Sequence, residues 1–319
     1  MKIYLLAMST VFLFGAGASK GSGDCYPENP PLGSELFDEL QRRGGVASTV
    51  DADLRRTFRA DFEKGMADFF RARNPDITPF LREMADYFAQ FEPGPKNYYG
   101  QLAKIVAEAK GSVVFATTNY EALIEIAVTQ AGYSIAYNKP AQYPKGGIPV
   151  LKLHGSCNFL PDFQGGGIRG ISFDLTPKPD LPLEEISSSI YDGRVRIASS
   201  LAEVRSFCRQ EDSVAPALGL YMLGKPVMWC RSFVEYQQDV WRKAIKRAGR
   251  IYVIGAGVYE HDDHIWDVLE DAKGQLRYID PYPEPFLEWC ADRGRKSASV
   301  IQGSFEEALP TLKRQMKDR

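Results

Sequence analysis

The sequence has little of what small secreted folds and zinc modules are built from. Its five cysteines stand at 25, 157, 208, 230 and 290, and no two form a C-x-x-C pair. That argues against a zinc ribbon and a dense disulfide framework, and scattered thiols in odd number fit a reducing compartment best. Histidine is scarcer still, at three residues. Positive charge is not in excess: 39 lysines and arginines face 41 acids, a formal net charge of −2. Binding to nucleic acid through phosphates alone uses a basic surplus, so no direct nucleic-acid partner is expected. No stretch approaches the ~18 uninterrupted apolar residues of a membrane helix, so no membrane partner is expected either.

What is present is globular: 44% hydrophobic, 12% aromatic and 25% charged over 319 residues. That length is, as a prior, enough for roughly two domains. The first segment, residues 1–19, has two readings. Lys2, the apolar run from Ile3 to Phe14 and the small residues Ala16-Gly17-Ala18 resemble a secretory signal. The same residues also read as a buried strand running into a glycine loop, and composition does not separate the two.

Farther along, apolar runs alternate with helical patterns. Strands are expected at 11–15, 112–116, 148–153, 250–255, 275–280 and 299–302. Residues 20–33 read as loop from their Gly, Pro, Ser and Asn. From Ser34 to about Lys110 the spacing is mostly helical, with Ser34 as the expected N-cap. Leu54, Phe58, Phe62, Met66 and Phe69 form one stripe there, which reads as core packing. A helix follows at 121–132 with Gly132 as its stop, then one over 235–248 ending at Gly249, and later ones near Asp262, at 284–293 and at 304–317. Strands alternating with helices, several of them continuously apolar, predict an α/β fold with a doubly wound, mainly parallel sheet. The organisation expected is a first strand and nucleotide loop (1–33), a helical module (34–110), a core segment (111–160), an insertion or lid (161–234) containing Gly165-Gly166-Gly167, and a C-terminal core segment (235–319).

Four motifs leave strands at the end where such folds bind ligands. Gly15-Ala16-Gly17-Ala18-Ser19 offers small residues that admit a phosphate close to the backbone, although Lys20 stands where a dinucleotide fingerprint has glycine. Thr117-Thr118-Asn119-Tyr120-Glu121 reads either as a helix cap or as an amide held ready for a sugar hydroxyl or a water. His154 follows an apolar strand and precedes Gly155, a place for a general base or for a satisfied structural histidine. Gly255-Ala256-Gly257, with Asp262 beyond it and Asp280 ending the next strand, suggests a second nucleotide loop. His261, Asp262, Asp263 and His264 invite a metal reading, but acids are favoured at a helix start anyway and no further ligand motif supports it, so no metal is expected.

In order, GAGAS, TTNYE, KLHGS and GAG-x(4)-D resemble the sirtuin-like superfamily. The closer likeness is to bacterial sirtuin-like NAD-hydrolysing effectors of antiphage defence, over 11–19, 112–158 and 250–308. The resemblance implies a Rossmann-like domain with NAD as substrate, cleaved to nicotinamide and ADP-ribose. Asn119 and His154 would be catalytic. Gly15, Ala16, Gly17 and Ser19 would line the pyrophosphate, Thr117, Thr118 and Glu121 the ribose loop, and Gly255, Gly257, Asp262 and Asp280 the adenosine end. Glu121 stands where the family usually has Asp, and Gly257 where a hydroxyl is common. The paired cysteines of the deacetylase zinc module are absent, as is that branch's Gly-x-Pro-Asp-Phe-Arg loop. No zinc is therefore expected, and protein deacylation is disfavoured beside hydrolysis.

A non-catalytic module sensing NAD or ADP-ribose remains the other alternative. A dehydrogenase is disfavoured by the broken glycine fingerprints. Cleavage after Ala18 would remove the glycine loop, which favours the strand reading and a cytoplasmic protein. The resemblance also implies regulation of an NAD-depleting effector of abortive infection, by homo-oligomerisation or by a HerA-type ATPase or Argonaute-like partner. Residues 34–110 or 161–225 would be the contact surface.

Overall fold

Val11 and Leu13 pack on one side of the first strand, and Phe12 and Phe14 on the other, into two separate apolar cores. That alternation within a continuous apolar run marks a strand covered on both faces. The computed structural model describes residues 9–73, 77–109, 112–137, 147–163, 192–210, 214–220, 227–259 and 262–317. The elements in chain order are β1 (Ser9–Phe14), α1 (Ala16–Lys20), β2 (Cys25–Tyr26), α2 (Gly33–Arg43), α3 (Ala52–Ala60), α4 (Phe62–Arg73), α5 (Thr78–Phe88), β3 (Glu92–Pro93), α6 (Tyr98–Ala107), β4 (Val113–Thr117), α7 (Leu123–Gln130) and β5 (Ile135–Ala136). There follow β6 (Ile148–Lys152), β7 (Phe159–Asp162), β8 (Arg194–Ile197), α8 (Leu201–Gln210), α9 (Arg231–Arg247), β9 (Ala248–Ile254), α10 (Asp263–Glu270), β10 (Gln275–Asp280), α11 (Glu284–Asp292), β11 (Ala298–Gln302) and α12 (Phe305–Lys317).

Seven strands form one sheet in the order β11-β10-β9-β1-β4-β6-β5. Every pairing in it is parallel. Helices on both faces make the fold a doubly wound, Rossmann-like α/β. One face is closed by α9, α10 and α11 through Trp241, Trp266, Phe286 and Trp289. The other meets α6, α7 and α12 and merges with the core of the helical module. Phe12 stacks on Tyr252 with ring centroids 4.9 Å apart, and Phe14 meets Tyr99 edge-on at 5.2 Å. Truncating either Phe to Ala would cost about 3–5 kcal/mol.

The order reverses between β1 and β9. From β1 the chain moves out to β4 on one side, and β9 and β10 return on the other. Because the sheet is parallel, the loops after Phe14, Thr117, Lys152, Ile254 and Asp280 all emerge at one edge.

Several boundaries differ from expectation. The segment weighed as leader or strand is a strand from Ser9, and its loop closes at once into the short helix α1. Ser34 does not cap α2. The helix starts two residues earlier, with Leu32 as its N-cap, and the Glu35 carboxylate accepts the Leu32 N–H at 2.8 Å. The stripe from Leu54 to Phe69 is core, as its spacing implies, but Asp61 divides it between α3 and α4. The helix expected at 235–248 begins at Arg231, and Gly249 belongs to β9. In the expected insertion, β7 and β8 form an antiparallel pair and α8 packs on α5. Gly165-Gly166-Gly167, the proline run at 177–182 and His261 lie outside the described residues.

Candidate active site

The loops after β1 and β9 lie against each other, backbone to backbone. Gly15 N–H donates to Ile254 O at 3.0 Å, and Gly17 N–H donates to Gly255 O at 2.8 Å. A Cβ on Gly15 would stand 2.4 Å from Ala256 Cα, and one on Gly255, where φ is +58°, would stand 2.2 Å from Ala18 N. These glycines are thus explained by the seam they share. With both N–H groups already donating within that seam, what they offer a ligand is room.

Beside the seam opens a cleft of about 590 Å³, within the range of small-molecule sites. It brings together Gly15, Ala16, Gly17, Thr118, Asn119, His154, Gly255, Gly257, Asp262 and Asp280 from the sequence-derived set. Ser19, Thr117 and Glu121 do not line it. A further wall comes from the junction of α3 and α4, Arg59 to Glu63, so the helical module contributes to the cleft itself. Sequence reasoning gave that module only a partner-contact role. Among the described residues, four carboxylates line the cleft (Asp61, Glu63, Asp262, Asp280) against one guanidinium, Arg59. Tyr282 stands at the mouth, 78% exposed.

Thr117 explains the spacing of its motif. Its hydroxyl donates to Phe14 O and accepts the Asn119 N–H, both at 3.0 Å, which turns the Asn119 side chain back toward β1. Asn119 Nδ2 donates to Gly15 O at 2.9 Å and to Ser19 Oγ at 2.8 Å. Its Oδ1 has no hydrogen bond to another described residue, so that oxygen is what Asn119 has left for a ligand. Ser19 Oγ donates to Glu121 Oε1 at 2.5 Å, which leaves Tyr99 as the donor in the 2.8 Å contact between their hydroxyls.

Glu121 is buried behind the cleft. Burial raises its carboxyl above the usual range, while Lys152 and the Ser19 hydroxyl pull it part of the way back. Lys152, fully buried at the end of β6, donates to Glu121 O and pairs with Glu125 Oε1 at 3.3 Å. A polar layer therefore supports the Asn119 loop from beneath.

His154 follows β6 and is 4% exposed. Its carbonyl accepts the Gly219 N–H at 2.8 Å, and Gly155 (φ +79°) lets the chain turn where a Cβ would meet Ala217 O at 1.9 Å. Its Nε2 lies 2.9 Å from His264 Nε2 and 3.5 Å from Asp262 Oδ1. As a hydrogen bond, the histidine contact holds a single proton, because one ring must accept. His264 is the residue that sequence reasoning left out of the site. Its one signal was that two of three histidines flank Asp262, and nothing linear ties it to His154.

At the far end, Asp280 accepts the Tyr282 N–H at 2.8 Å, and burial and Glu284 raise its carboxyl. Tyr278 Oη donates to Ala256 O at 2.8 Å and steadies the second glycine loop.

Fold and cleft define a Rossmann-like α/β protein with a cleft of small-molecule size at the switch point of its sheet. No model of a known protein family matches the chain, and no curated protein matches it significantly. Among the described residues, no helix is long and apolar enough to cross a membrane.

Proposed function

We propose that this protein is an NAD glycohydrolase that converts NAD and water to nicotinamide and ADP-ribose. The observation that carries the reading is that Asn119 and His154, from motifs that resemble the sirtuin-like family, line one cleft at the switch point together with both glycine loops. In NAD the nicotinamide is cationic and leaves neutral, so no acid is needed at the leaving group. Positive charge builds on the ribose in an oxocarbenium-like transition state, by analogy with glycoside hydrolysis. A cleft with four carboxylates and one guanidinium favours that charge. Asn119 Oδ1 accepts from a ribose hydroxyl or from the attacking water. His154 takes the proton released as that water adds to the anomeric carbon, and returns it to solvent. Glu121 holds Ser19, and Ser19 holds Asn119.

By the same resemblance we place the enzyme among regulated, NAD-depleting effectors of antiphage defence. Control would come from a homo-oligomer or from a HerA-type ATPase or Argonaute-like partner. The test is to incubate the purified chain, alone and with the product of a neighbouring gene, with NAD and to measure nicotinamide and ADP-ribose. Release that falls about 100-fold or more in His154→Ala supports the reading. Turnover that survives both His154→Ala and Asn119→Ala overturns the site. Binding without turnover would leave a sensor.

A further inference from the structure

His154, Asp262 and His264 each present one donor atom, all within 4.8 Å of one another. Donors held about 2.0–2.1 Å from one metal ion at octahedral or tetrahedral angles lie about 2.9–3.4 Å apart. From His154 Nε2 the separations are 2.9 Å to His264 Nε2 and 3.5 Å to Asp262 Oδ1, close to that range without any ion imposed. The positions are held by the fold. Asp262 is the N-cap of α10 and His264 lies in its first turn, while His154 comes from the end of β6, anchored by its bonded carbonyl and by the turn at Gly155. Two imidazoles and one carboxylate suit zinc and its first-row neighbours, and three protein ligands leave a position open to solvent or ligand. The acidic lining of the cleft draws cations toward it.

We propose that His154, Asp262 and His264 bind one divalent transition-metal ion of the zinc type at the cleft, and that the ion silences the site by taking the Nε2 lone pair of His154. Both Nε2 atoms must then present lone pairs, so the proton between them moves to Nδ1 of its own ring where that ring is neutral, and to solvent where it is an imidazolium. The metal site stands on its own geometry, whereas the silencing rests on the hydrolase reading. No linear motif ties a further ligand to the Asp262 segment, and the fold supplies one from the end of β6.

The experiment uses the full chain, stripped with a chelator and then titrated with Zn2+ by calorimetry and with Co2+ by visible absorption. One equivalent should bind. His264→Ala and Asp262→Asn, each checked by thermal melting, should bind at least about ten-fold more weakly. A Cys25→Ser/Cys290→Ser variant should bind as the wild type does, because neither of these partly buried thiols is a ligand. Failure of the wild type to bind, or binding that ignores both His264→Ala and Asp262→Asn, overturns the site. Where the stripped chain hydrolyses NAD, one equivalent of Zn2+ should lower turnover about ten-fold or more, and chelator should restore it. Undiminished turnover with metal bound overturns the silencing alone. Absence of turnover in stripped protein, both alone and with the product of the neighbouring gene, counts against the hydrolase reading and the silencing that rests on it, and leaves the binding result intact.

Discussion

Gly17 donates its backbone N–H to Gly255 O at 2.8 Å and so fastens the loop after β1 to the loop after β9. Gly255 has φ +58°, and its Cα side is closed by Ala18 N and the Gly17 backbone. Gly255→Ala should cost about 3 kcal/mol or more, from the left-handed backbone and the clash together. Gly132, with φ +91° and open space around it, is the control, and its Ala variant should cost about 1 kcal/mol. Urea unfolding of the two variants checks this, and equal losses would mean that the seam is not closed.

Asn119 and His154 should separate in stability. Asn119→Ala removes two buried donors and leaves Gly15 O and Ser19 Oγ short of a partner, a loss of about 1–3 kcal/mol. Because Ser19 shares that network, adding Ser19→Ala should cost less than the sum of the single changes. His154→Ala should lower NAD turnover about 10²–10⁴-fold. Melting curves set beside nicotinamide release would distinguish these roles.

Glu121 gives a dependence on pH. Burial raises its folded value above the ordinary 4.5, so the folded chain holds this proton to higher pH than the unfolded chain does. The stability it contributes is complete below 4.5 and is lost as pH rises through the raised value. Glu121→Gln keeps an acceptor for Ser19 and removes the loss. Denaturant unfolding from about pH 4 to about pH 8 should show the variant gaining on the wild type. A difference that stays constant across that range would rule this account out.

The acidic cleft should discriminate between dinucleotides. A 2′-phosphate adds negative charge to a lining with four carboxylates and one guanidinium. NADP should bind at least about ten-fold more weakly than NAD, and added salt should narrow the gap. Asp280→Asn should narrow it as well. Calorimetry with both nucleotides decides, and equal affinities would count against the charge argument.

The architecture was legible because two signals agreed. The apolar run at 11–14 alternates between two cores, and Gly132 stops α7 where its spacing ends. The site was legible as loops but not as partners. Asn119 and Ser19 meet because Thr117 fixes the turn, and His154 meets His264 because β6 and α10 converge on the cleft. Both are long-range relations, and no linear spacing encodes them. Glycine carries one role that its spacing does not reveal. Its small size suggested a phosphate cradle, and at 15, 17 and 255 it also lets two backbones touch. The breaks at Asp61 and at β3 went unseen because the helical pattern runs across them.

The seam between Gly17 and Gly255 joins two distant parts of the chain, so the cleft has no local precursor. The chain through β6 carries Asn119, His154 and the wall from Arg59 to Glu63, and it lacks the wall that Gly255 to Asp280 supply. Only the pairing of β9 beside β1 completes the pocket, and β9 lies toward the chain's C-terminal end. The site is thus a property of the whole chain, held by pairing between strands that lie more than two hundred residues apart in sequence.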